Sequence, residues 1–113
     1  MLFRSASKML VEGTGLIAYK KDRPVGAIGG VVLPNIYNPN ILVLTELLWY
    51  VLPDFRQTRV GFQLLKAYRE LADSVADEAS LSTLTSSQIN PSSLQKFGFE
   101  LKESSYYYIR KDV

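Results

Sequence analysis

The chain has 113 residues and a net charge of +2, and 47% of it is hydrophobic and 21% charged, the composition of a single globular domain with enough length for a real core. It contains no cysteine and no histidine, which excludes disulfides, thiolate nucleophiles, Cys-ligated zinc, iron–sulfur clusters and histidine triads. Its cations are spread rather than clustered, so nucleic-acid binding is not indicated, and with no signal-peptide core or membrane-length apolar run the expected location is cytoplasmic.

In chain order, residues 5–12 read as a short helix ended by Gly13 and Gly15. Residues 16–20 and 25–33 read as two strands of a hairpin joined by the polar turn Lys21-Asp22-Arg23-Pro24. Gly26, Gly29 and Gly30 weaken the second strand or mark a bulge. A loop rich in turn formers, with Asn35, Asn38, Pro39 and Asn40, leads into a long strand over residues 41–51. Its near-continuous hydrophobicity predicts cover on both faces.

After that strand comes a tight basic turn, residues 52–61, and then the best-defined helix. Val60, Leu64, Tyr68, Leu71 and Val75 make one apolar stripe, with Lys66/Glu70 and Arg69/Asp73 four apart on the solvated side. A short strand is expected over residues 81–84. Asn90 and Pro91 mark a helix start and Gly98 its end. Two further strands, residues 99–103 and 106–110, are expected to meet at Ser104-Ser105. The order gives a single α/β (α+β mixed) domain over residues 1–113, built on a mostly antiparallel sheet flanked by helices.

The turn is where chemistry concentrates. Arg56 and Arg59 flank the start of a helix, where free backbone N–H groups and fixed positive charge can hold a phosphate; the plain alternative is a solvated basic turn. Glu46 lies among apolar neighbours on the long strand, either as a general base or as an ion-paired or solvent-facing carboxylate, and a bulge would decide its face. Tyr106, Tyr107 and Tyr108 read first as packing residues and second as proton donors. Trp49 is a core residue or a cofactor wall. Ser92 and Ser93 read as helix-start residues, since no base is placed to activate them.

Three signatures in sequence order resemble the GNAT superfamily of acyl-CoA-dependent N-acyltransferases. They are Val51-Leu52-Pro53-Asp54-Phe55-Arg56 after the long strand, the loop Arg56-Gln57-Thr58-Arg59-Val60-Gly61, and the late box Lys96-Phe97-Gly98-Phe99. The resemblance implies a GNAT fold and acetyl transfer from acetyl-CoA to a primary amine by direct attack. It implies that Trp49, Tyr50 and Val51 pair with the pantetheine arm, and that Arg56, Gln57, Thr58, Arg59, Val60, Gly61 and Phe62 cradle the pyrophosphate; Glu46, from its own setting on the strand, is the candidate base. No covalent intermediate is required. The sequence departs from the family in two places: Arg59 stands where the loop's first glycine is usual, as in some phage-encoded members, and Leu94 stands where a tyrosine acid is frequent. The early helical region is short, so a second copy or another protein is expected to complete the acceptor site. A binding or structural protein that keeps the fold without turnover is the rival expectation.

Overall fold

Hydrophobic runs broken by turn residues pair with their neighbours in sequence. The computed structural model describes residues 2–5, 13–84 and 89–112. Strands β1 (Leu2–Ser5), β2 (Thr14–Lys20), β3 (Arg23–Pro34), β4 (Leu42–Val51) and β5 (Glu78–Ser80) form one sheet in that spatial order. The first four are antiparallel and β5 joins β4 in parallel. A parallel neighbour needs a crossover, and helix α1 (Val60–Val75) supplies it. A second helix, α2 (Pro91–Lys96), packs beside α1 through the stacked rings of Phe62 and Phe97.

The core lies between α1 and one sheet face: Ala18, Val25, Ile28 and Leu44 from the strands, against Val60, Leu64, Tyr68 and Ala72 from the helix. The buried stripe follows steps of four through Val60, Leu64, Tyr68 and Ala72; Leu71 is half-buried against the same core as expected, and Val75 is exposed. Lys66, Glu70, Arg69 and Asp73 are exposed as expected, but neither pair closes an ion pair among the described residues. Asn90 caps α2, its Oδ1 accepting from the Ser92 N–H at 3.0 Å, and Gly98 takes the left-handed φ of +90° that ends it.

The structure corrects several expectations. The β2–β3 connection is Lys21-Asp22 alone, with Lys21 in the left-handed region at φ 57°. β1 was not anticipated, because four residues are too few to show a period; Ser5 belongs to it, and residues 6–12 of the expected helix lie outside the described residues. The strand expected over 81–84 forms instead at β5, where pairing with β4 outweighs the weak strand preference of Glu-Ala-Ser. Residues 99–103 and 106–110 make no strand and are largely exposed. β4 is covered on one face only, leaving Leu47, Leu48 and Tyr50 exposed.

Candidate functional site

β5 pairs with only the first part of β4, at Val43, Leu44 and Thr45. From Glu46 to Val51, β4 has β3 on one side and, among the described residues, no strand on the other. Where β4 and β5 part, the buried Tyr68 hydroxyl lies 3.0 Å from the Leu44 carbonyl and 3.1 Å from that of Ser80, its one proton shared between them. Sequence reasoning placed Tyr68 on the apolar stripe and missed this tether. Tyr68→Phe should cost about 1–3 kcal/mol in urea unfolding, since two carbonyls lose their donor.

The open edge has a definite phase. The Leu52 N–H donates to the Val25 carbonyl at 2.9 Å. Alternation in the antiparallel ladder then turns the backbone groups of Val51 and Trp49 away from β3, toward the open side. Between Leu48 and Glu46 the register with β3 slips by one, so Leu47 is a bulged residue. The bulge puts Glu46 on the same face as Trp49 and Val51, the face toward α1; an unbroken strand would separate Glu46 from both.

Glu46 is half-buried, and burial raises its carboxyl above the ordinary 4.5. It makes no ion pair among the described residues. Its charge also raises the Tyr68 phenol, after the larger effect of burial. A raised folded-state value means the protonated form is favoured on folding. The stabilising contribution is complete below about pH 4.5 and is lost as pH rises through the folded value. Glu46→Gln should therefore stabilise the protein more, relative to wild type, at about pH 7.5 than at about pH 4, as read from urea midpoints.

Beyond β4 the chain makes a 3₁₀ turn, Pro53–Phe55, and enters α1. Thr58 organises this entry: its N–H and its hydroxyl both donate to the Phe55 carbonyl, and its Oγ1 accepts from the Val60 N–H at 3.3 Å. The N–H groups of Gln57, Arg59, Gly61 and Phe62 find no acceptor among the described residues. A Cβ on Gly61 would meet only the Val51 side chain, at 3.7 Å, an ordinary contact. Nothing in the chain itself demands glycine there, whereas close approach by a ligand does. Four free donors and a clear approach fit an anionic group.

The two arginines divide. Arg59 is exposed at the N-cap, with no side-chain capping bond, and lines a recess of about 210 Å³ with Lys20, Phe55, Thr58, Val60 and Gln63. Arg56 turns the other way: its Nε donates to the Val51 carbonyl at 2.9 Å and its guanidinium sits over the Tyr50 ring. Lys20 and Arg23, from the β2–β3 turn, lie 5.6 and 5.7 Å from the Phe55 ring and add positive charge beside the helix start. No local signal reveals these two, because β3–β4 pairing carries them there. Phe62 spends its ring on Phe97, leaving only its backbone N–H to the loop. Leu94 is half-buried on α2 and cannot donate a proton. Tyr106, Tyr107 and Tyr108 are 86–95% exposed, so the packing role expected of them is not met. Among the described residues no cluster of metal-ligating side chains occurs, and no helix is long and apolar enough to cross a membrane.

Comparison with known proteins agrees with this architecture. The model of the acetyltransferase (GNAT) family matches residues 3–99. No curated protein matches the sequence significantly. Among solved structures, an acetyltransferase-family protein from Agrobacterium tumefaciens superposes with a TM-score of 0.70 at 15% identity, over 87% of this chain and 69% of that one. An acetyltransferase from Trypanosoma brucei gives 0.65 at 18% identity, over 88% and 68%. The aminoglycoside N-acetyltransferase AAC(6')-Iy, solved in complex with CoA, gives 0.67 at 22% identity, over 88% and 76%. At these identities the structural likeness is one of fold.

Proposed function

We propose, from the premise that this chain belongs to the GNAT acetyltransferase family, that it moves an acetyl group from acetyl-CoA to a primary amine by direct attack. The observation that carries this reading is the meeting of two unsatisfied backbone surfaces. The four free N–H groups at the start of α1 adjoin the unpaired edge of β4. The first suits a pyrophosphate and the second an extended amide chain. A thioester linked to both supplies an activated acyl group.

The residues take the following parts. Gln57, Arg59, Gly61 and Phe62 give N–H groups to the pyrophosphate, Thr58 and Val60 hold the loop that presents them, and the Arg59 guanidinium adds charge. Trp49, Tyr50 and Val51 form the edge against which the pantetheine arm lies. The outward Val51 N–H is the donor for the acyl carbonyl. Glu46, on the same face, takes the amine's proton directly or through water, and needs to be ionised to do so. Activity should accordingly rise with pH through a value above 4.5, the direction in which burial moves this carboxyl.

One observation favours a second reading, a GNAT-fold module that binds CoA or a protein partner without turnover. Leu94 stands at the family's tyrosine position and leaves the departing thiolate without that donor. The test is calorimetry with acetyl-CoA, followed by mass spectrometry of a primary-amine panel incubated with protein and acetyl-CoA. Micromolar binding with acetylated product supports the enzyme. Binding without product supports the silent module; no binding sinks the enzyme for the isolated chain and leaves the module only a protein partner.

A further inference from the structure

Arg56 belongs by sequence to the basic phosphate loop, yet its guanidinium is engaged with the end of β4. Nε donates to the Val51 carbonyl at 2.9 Å, and the guanidinium carbon is 5.2 Å from the centre of the Tyr50 ring. A planar cation held by a hydrogen bond through one nitrogen and by a ring across its face has one orientation; turning it toward the free N–H groups of α1 breaks both contacts. Arg59, whose backbone carbonyl accepts from the Gln63 N–H of α1 at 2.9 Å, has no comparable side-chain contact among the described residues and carries its charge free.

The carbonyl that Arg56 occupies matters. On the open side of β4 the outward groups are the N–H and C=O of Trp49 and of Val51. With the Val51 carbonyl engaged, the stretch of edge from Trp49 to Val51 offers an incoming amide chain one free acceptor, the Trp49 carbonyl, and two donors, the N–H groups of Trp49 and Val51. That asymmetry leaves one register for pairing. It also fixes the peptide plane that follows Val51, just before the chain turns at Pro53 toward α1.

From this geometry we infer that Arg56 is a positioning residue, which sets the register of the pantetheine arm on β4, and not a phosphate ligand. The inference rests on the acetyl-CoA reading above. Its test separates the two halves of that molecule: calorimetry with acetyl-CoA and with 3′-phospho-ADP, which carries the pyrophosphate but no arm, on wild type, Arg56→Ala and Arg56→Lys. Both variants should bind acetyl-CoA about tenfold or more weakly, the worth of one hydrogen bond from a charged donor, and bind 3′-phospho-ADP within about twofold of wild type. Lysine keeps the charge and loses the planar fork, so it should not rescue. In the ligand-free protein, both variants should move the amide resonances of Val51 and Leu52 in a nitrogen–proton correlation spectrum, while thermal unfolding shows them folded. Equal weakening toward both ligands, or rescue by lysine, overturns the inference and restores Arg56 to the phosphate. Unchanged affinity for both ligands overturns it as well. If wild type binds neither ligand, what fails is the acetyl-CoA reading itself, a result distinct from all of these.

Discussion

Arg59→Glu should reduce affinity for acetyl-CoA by about 100-fold or more and leave the folded state intact or slightly more stable. The two halves of this result have opposite electrostatic signs, which is what makes it diagnostic. Arg59 stands at the N-cap of α1, where the helix presents its positive end, and no acidic residue occupies the first turn to offset it. For the fold alone, a cation here is unfavourable and a carboxylate favourable, by about 0.3–1 kcal/mol. Against a pyrophosphate the preference inverts. A unit charge pair at contact distance is worth about 1–4 kcal/mol across effective dielectrics of 80 to 20, and reversing the sign at Arg59 counts that interaction twice. A loss near 3 kcal/mol corresponds to about 100-fold in Kd. The measurement is calorimetry with acetyl-CoA beside thermal unfolding in the same low-salt buffer. Unchanged affinity would show that Arg59 is only a solvated residue and would leave the backbone N–H groups as the whole of the anion site.

The reason for the site's uneven visibility in sequence is the range over which each signal acts. The Asn90 cap, the Gly98 stop, the α1 stripe from Val60 to Leu71 and the extended run before the basic turn are local, and the structure reproduces them. The glycines of β3 mark a bulge, and the register slips between Gly29 and Gly30; that the extra residue on β4 is Leu47 is not readable. It is set by β4 pairing across to Gly29 and Gly30, and no feature of Leu47 itself announces it. The face of Glu46, and with it any claim on a catalytic role, hangs on that slip. Lys20 and Arg23 reach the helix start only because β3 runs antiparallel to β4, bringing the β2–β3 turn beside the end of β4. Arg56 shows the converse: its place in the loop is legible in the motif, and the direction of its side chain is not. Motif spacing fixes where a residue sits in the loop; the partner of a guanidinium is decided by what else lies within its reach, here Val51 and Tyr50.

Gly30→Ala should be the most damaging single-methyl substitution in the sheet. An alanine Cβ there would stand 2.0 Å from the Thr45 carbonyl oxygen, 2.7 Å from its carbon and 3.0 Å from the Glu46 Cα, all of them backbone. No side-chain rotation relieves such a contact. β3 and β4 must separate, or the bulge must move. Overpacking commonly costs about 1–3 kcal/mol where side chains can adjust. A rigid backbone collision between paired strands should reach or exceed the top of that range, a large part of the ~5–15 kcal/mol that holds a domain together. Urea unfolding measures it. Gly61→Ala is the matched control, since its Cβ would make only the ordinary contact with Val51 and alanine favours a helix by up to about 1 kcal/mol over glycine. Gly61→Ala should therefore keep or raise stability while weakening acetyl-CoA. If Gly30→Ala instead folds with wild-type stability, the bulge has relocated, and the pairing of Glu46 with residue 30 is not what sets its face. Amide exchange at Glu46, Leu47 and Leu48 then reads the new register directly: a strand without its bulge at Leu47 would protect different amides in this stretch and turn the Glu46 carboxyl away from Trp49 and Val51.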